Sequence, residues 1–154
     1  MSGLQFGHSS PNDAFPNTPE VYIDTLSVQS SHVALIADER HDPTLPQGPT
    51  PSGCIEQAYV SAYGQPGIPF IVINGQFYHA GSLIPTQPTD NMSQLQGLSP
   101  QQVLGQISNQ SGPAWNAISP AAYLLMAFIL KTDGNQPASV AQLAPVAADL
   151  AAIT

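Results

Sequence analysis

Ile68–Ile73 is an apolar run, rich in β-branched side chains and too short for a helix of its own. That pattern predicts a strand buried on both faces. Asn74-Gly75 follows at once, and both residue types tolerate the positive φ of a two-residue hairpin turn. Gln76–Ala80 then alternates polar and apolar, as a less buried return strand should. Pro69 heads the inner strand, one of the few places where a sheet accepts a residue without an N–H. The Ile68–Pro69 bond is also the natural place for a cis peptide, which is essentially confined to X–Pro.

Elsewhere the pattern is less dense. Residues 1–19 have no periodicity and read as an irregular lead-in. Glu20–Thr25 alternates and predicts a strand, and His32–Ala37 predicts a second. Asp38–Ser52, with Pro43, Pro46, Pro49 and Pro51, is loop. Ile55, Ala58, Tyr59 and Ala62 recur at helical spacing, and Gly64 ends that helix. After Gly81 a polar, proline-bearing connection leads to Leu98. Ser99-Pro100 and Ser119-Pro120 each pair a serine N-cap with a proline at the first helical position. The first helix has Val103, Leu104 and Ile107 on one side. The second, Ala121–Leu130, is apolar all round and predicts a buried helix ending near Lys131 and Gly134. Ser139–Ile153 is Ala-rich and weakly amphipathic, with Pro145 inside it, and is the part expected to fray.

Composition narrows the partners. The 154 residues suffice for one domain with a core. Two basic against ten acidic residues give a formal charge of −8, which repels nucleic acid and anionic lipid alike. Only 8% of residues are charged, so Ser, Thr, Gln and Asn supply the polarity, a balance associated with exported proteins. Cys54 is the single cysteine, which excludes an intrachain disulfide and any Cys-x-x-Cys motif. Met1–Ser10 does not read as a secretory signal, and Ala121–Leu130 is about half the length of a membrane span. The expectation is a chain without a membrane segment.

The order strand, strand, helix, proline-headed strand, hairpin strand and helices is that of the second half of a thioredoxin-like fold. The chain resembles an uncharacterised thioredoxin-like family (domain of unknown function 929) over about Phe6 to Val140. The resemblance lies in Ser9-Ser10-Pro11-Asn12-Asp13-Ala14-Phe15-Pro16-Asn17-Thr18, in Gly67-Ile68-Pro69-Phe70-Ile71 and in Asn135-Gln136-Pro137-Ala138-Ser139-Val140. It implies an α/β, thioredoxin-like fold that is incomplete here, truncated of the N-terminal strand and helix bearing a Cys pair. It further implies full-length relatives that begin earlier, with a membrane-proximal apolar segment, and so an extracytoplasmic, membrane-tethered location. Leu130 and Ala141 stand where the family would have tail cysteines. The division expected is lead-in 1–19, thioredoxin-like domain 20–135 and an Ala-rich, helical tail 136–154. With the strand beside Ile68–Ile73 absent, either His32–Ala37 pairs there or that edge stands open to self-association.

Gly67, Ile68 and Pro69 are the candidate binding residues, because the cis-proline loop of thioredoxin-like enzymes offers backbone groups to an extended peptide. The competing reading is a proline that simply starts a strand. Cys54 lies near a helix start, where a thiol is activated, but an isolated cysteine is more often a small buried hydrophobe. His8, His32, His41 and His79 with Asp38, Glu39 and Asp42 match no familiar metal-ligand spacing, so no metal and no cofactor is expected. His79 reads as a half-exposed sheet residue, and Trp115 as packing between two helices. Tyr59 and Tyr63 read as core and rim of their helix. Phosphate-binding glycine loops, nucleophile elbows and paired catalytic carboxylates are absent from the sequence. No catalytic residue is assigned. The expected function is that of a thioredoxin-like domain related to thiol-disulfide oxidoreductases but lacking the dithiol. The alternative is a redox-inactive module for an extended peptide or partner domain, and a third is a one-cysteine enzyme using Cys54.

Overall fold

The computed structural model describes residues 6–9, 11–12, 16–21, 28, 30–35, 70–84 and 91–153. Among them the chain is a mixed α/β protein. Strands β1 (Phe6–His8) and β2 (Pro19–Val21) pair antiparallel, with Phe6 opposite Val21. Strands β3 (Phe70–Ile73) and β4 (Phe77–Ala80) form a second antiparallel pair, with Phe70 opposite Ala80. A 3₁₀ turn over Met92–Leu95 follows, then helices α1 (Pro100–Ser108), α2 (Pro113–Thr132), α3 (Ala138–Ala141) and α4 (Ala144–Ala152).

Local chemistry explains most of these boundaries. Helix α1 begins at Ser99, whose Oγ accepts from Gln102 N (3.2 Å) while Gln102 Oε1 accepts from Ser99 N (2.7 Å). This reciprocal capping box satisfies two backbone donors that a helix end leaves over, and Pro100 has no N–H to lose. Helix α2 starts at Gly112-Pro113, not at Ser119-Pro120 as the sequence suggests. Gly112 has φ 89°, open to glycine, and a Cβ there would meet the Gln106 side chain at 2.7 Å. Gln106 Oε1 also accepts from Ala114 N (2.8 Å), so α1 caps α2 from the side.

Pro120 consequently lies inside α2. It cannot donate to the Asn116 carbonyl one turn back, yet tertiary packing carries the helix past it. At the other end Asn135 N donates to Leu130 O (2.8 Å) across Gly134, which has φ 62°. That is the six-to-one bond of a Schellman stop. Lys131 is in the last turn, as expected, and its Nζ donates to Ile153 O (3.1 Å).

The core runs along α2 in two clusters. Ala114 and Ala117 pack on Leu95 of the 3₁₀ turn, with Ile84, Val103 and Ile118 around them. Ala127 and Leu130 pack on Val146 of α4, with Tyr123, Met126 and Leu150 alongside. Alanines make up most of the contact stripe and let backbones approach closely, and of the larger apolar side chains of α2 Leu130 is the one that is buried. Ala121–Leu130 is therefore not buried all round: Ala121, Ala127 and Leu130 are, and the rest of that run is intermediate.

Several sequence expectations change. The supposed irregular lead-in contains β1 and the first residue of β2. His32–Leu35 is not strand: Ser30 Oγ accepts from His32 N (3.0 Å) and Val33 N (3.2 Å), and such local bonds compete with a sheet ladder. The connection after Gly81 is partly structured, and Leu95 within it is 5% exposed. The tail, expected to fray, is docked: Val146 is fully buried, and Pro145 sits in the first turn of α4, where a missing N–H costs little. At 20 residues α2 is long and apolar enough to cross a membrane by length and composition. The length argument against a membrane segment therefore no longer holds, although α2 is packed within this fold. The loop over 38–52 and the helix over Ile55–Ala62 lie outside the described residues.

Candidate functional site: the hairpin and its cleft

The turn of the β3–β4 hairpin follows its sequence closely. Asn74 and Gly75 have φ of 50° and 65°, and Gln76 N donates to Ile73 O (3.0 Å). The ladder pairs Ile73 with Phe77, so Gln76 belongs to the loop and the return strand begins at Phe77. Tyr78 Oη donates to Gly75 O (2.8 Å) and holds the turn from the strand side.

Register decides which side chains meet α2. Ile71 and Ile73 share one face of β3, and Phe77 and His79, their cross-strand partners, share that face on β4. Phe77 lies against Phe128 of α2, with ring centroids 4.8 Å apart and planes tilted by 45°. A shallow, mostly apolar cleft opens there, bordered by Ile71, Phe77 and His79 on one side and Leu125 and Phe128 on the other. Neither strand is fully buried: Ile71–Ile73 and Phe77–Ala80 are all half-buried, which corrects the expectation of a strand covered on both faces. Among the described residues β3 pairs only with β4.

His79 is the polar group on this apolar face. Its Nε2 lies 3.3 Å from Ser82 O, so the ring donates to the backbone of the loop that leaves β4. Ser82 Oγ accepts from Ile84 N (3.0 Å) and closes that loop locally. The half-exposed sheet position read from the sequence agrees with this placement.

Other candidates do not gather here. Gly67, Ile68 and Pro69, which lead directly into β3, lie outside the described residues, as do Cys54, Tyr59, Tyr63, Asp38, Glu39, His41 and Asp42. His8 is in β1, and His32 meets Asp133, the C-cap residue of α2, so these histidines are not brought together. Among the described residues no three His, Cys, Asp or Glu side chains form a metal-sized group. Trp115 is not between two helices but in the first turn of α2, edge-on to Tyr123 at 6.2 Å. The cis peptide among the described residues is Gln136–Pro137. The sequence reading missed two pairings: Phe77 with Phe128, and His32 with Asp133. No local pattern marks either.

No family model, no curated protein and no solved structure matches the chain.

Proposed function

We propose that this chain is a thioredoxin-like domain related to thiol-disulfide oxidoreductases, acting in an extracytoplasmic, membrane-tethered setting and carrying no dithiol in these residues. The observation that supports it best is the antiparallel β3–β4 hairpin. Its inner strand continues directly from Gly67-Ile68-Pro69, and one of its faces lies on a long helix. Exchange between a dithiol and a disulfide needs an attacking and a resolving thiol. Cys54 alone cannot supply both.

The apolar cleft favours a second, compatible reading: a surface for an extended peptide. An extended peptide in the cleft would meet the apolar side chains of Ile71, Phe77 and Phe128, with Gly67, Ile68 and Pro69 the binding residues that the resemblance implies. Among the described residues β3 pairs only with β4, and its other edge is the one through which two copies of the chain would associate.

An insulin-reduction assay under dithiothreitol tests the redox part. The wild-type chain and Cys54→Ser should both leave the onset of precipitation where buffer alone has it. Acceleration by the wild type that is lost in Cys54→Ser would overturn the reading in favour of a one-cysteine enzyme. Titration with an extended Val/Thr-rich peptide tests the binding part, with shifts expected at the Phe70–Ile73 amides. Shifts confined to other elements would count against it.

A further inference from the structure

We propose that Asn109, in the turn between α1 and α2, is an acceptor for an N-linked glycan. Asparagine followed two residues later by Ser or Thr, with a residue other than proline between, is the acceptor pattern for sugar transfer in exported chains. The sequence holds it twice, as Asn91-Met92-Ser93 and as Asn109-Gln110-Ser111. The inference rests on the extracytoplasmic setting proposed above, where such transfer takes place.

Transfer needs the asparagine amide as nucleophile and the hydroxyl two residues on as the recognition group, so both must be reachable and unengaged. The structure separates the two triplets on this point. Asn91 is half-buried, and its Oδ1 accepts from Gln94 Nε2 (3.1 Å) at the start of the 3₁₀ turn. That turn seats Leu95 in the core beside Ala114 and Ala117, so freeing Asn91 disturbs packing. Asn109, Gln110 and Ser111 are all exposed, and none of them belongs to either core cluster.

Backbone bonds alone hold this second triplet. Asn109 N donates to Gly105 O (3.0 Å), Gln110 N to Ile107 O (3.1 Å) and Ser111 N to Gln106 O (3.0 Å). Gln110 has φ 50°, and the pattern is a Schellman stop with Asn109 as the C-cap of α1. Among the described residues the Asn109 and Ser111 side chains make no hydrogen bond, so the turn keeps its shape without them. Chain reversal also sets the triplet where the main chain turns back on itself at the surface, the kind of place that accepts a bulky, solvated group.

The step is a displacement at a sugar. Asn109 Nδ2 attacks the anomeric carbon of an oligosaccharide carried on a polyprenyl pyrophosphate. A carbon–nitrogen bond forms as the carbon–oxygen bond to the pyrophosphate breaks. The lipid pyrophosphate leaves, and the amide gives up one proton, so nothing is oxidised or reduced.

The test uses the full chain made in a host without the transferase. It is incubated with membranes that carry an asparagine oligosaccharyltransferase and its lipid-linked oligosaccharide, with a blocked Asn-Gln-Ser tripeptide as the control for activity. Peptide mapping by mass should show the glycan on the fragment with Asn109 and none on the fragment with Asn91. The added mass should be lost in Asn109→Gln and in Ser111→Ala and kept in Ser111→Thr. All three keep the backbone bonds of the turn, and amide protection within α2 reports that they are folded. A bare Asn109 beside a glycosylated tripeptide would overturn the proposal, as would added mass that survives in Ser111→Ala. The mass of the chain from its native source tests the location separately. Transfer to Asn109 in the membranes with a bare native chain would contradict the extracytoplasmic setting and leave the acceptor standing.

Discussion

Replacing Leu130 by alanine will lower the stability of the chain by about 2–5 kcal/mol, the range found when a buried leucine is truncated and its cavity only partly closes. Leu130 is 2% exposed and packs with Ala127 and with Val146 of α4. Its neighbours are held from several directions. The Leu130 carbonyl accepts from Asn135 N and Asp133 N, and Lys131 ties the end of α2 to Ile153. A wall fixed this way cannot collapse far into the space a missing isobutyl group leaves. For a domain stable by about 5–15 kcal/mol the loss is a large share of the total. Urea unfolding should show a lower midpoint with an unchanged slope. A shift under about 0.5 kcal/mol, the scale of surface substitutions, would mean that α4 does not pack on α2.

Pro120→Ala should do the opposite and raise stability, by up to about 3 kcal/mol, the propensity difference between proline and alanine inside a helix. Pro120 is exposed and interior to α2, so alanine removes no buried contact. It restores a donor for the Asn116 carbonyl. Part of the gain is offset because proline also restricts the unfolded chain. The result separates two helix starts. If α2 began at Ser119-Pro120, the proline would occupy its favoured first position and alanine would bring no gain. Thermal or urea unfolding of the folded variant reads the sign directly.

Those two residues also mark how far the sequence can be read. Ser99-Pro100 and Ser119-Pro120 look alike locally, and only the first is a helix start. What separates them lies outside the window: Gly112-Pro113 offers an earlier start, and Ala114, Ala117 and Ala121 carry an apolar stripe through Pro120. The Asn74-Gly75 turn was legible because positive φ is a property of those two residues. The register was not, because one further loop residue, Gln76, changes the pairing without changing the composition. The tail was misread for a different reason. Its alanines give a faint periodicity, and the docking of Val146 depends on Ala127 and Leu130 of α2, which no local window around the tail includes. Candidate-site residues fared likewise. The hairpin was visible from local pattern, whereas its seat on Phe128 and the pairing of His32 with Asp133 are tertiary facts.

The functional reading depends on the β3–β4 hairpin being seated on α2, since the cleft exists only between them. A double-mutant cycle on Phe77 and Phe128, each changed to leucine, measures that seat most directly. Rings in tilted contact at 4.8 Å should couple by about 0.5–1.5 kcal/mol, over and above the two single losses. A coupling indistinguishable from zero, with both single variants folded, would separate hairpin from helix and remove the cleft with it.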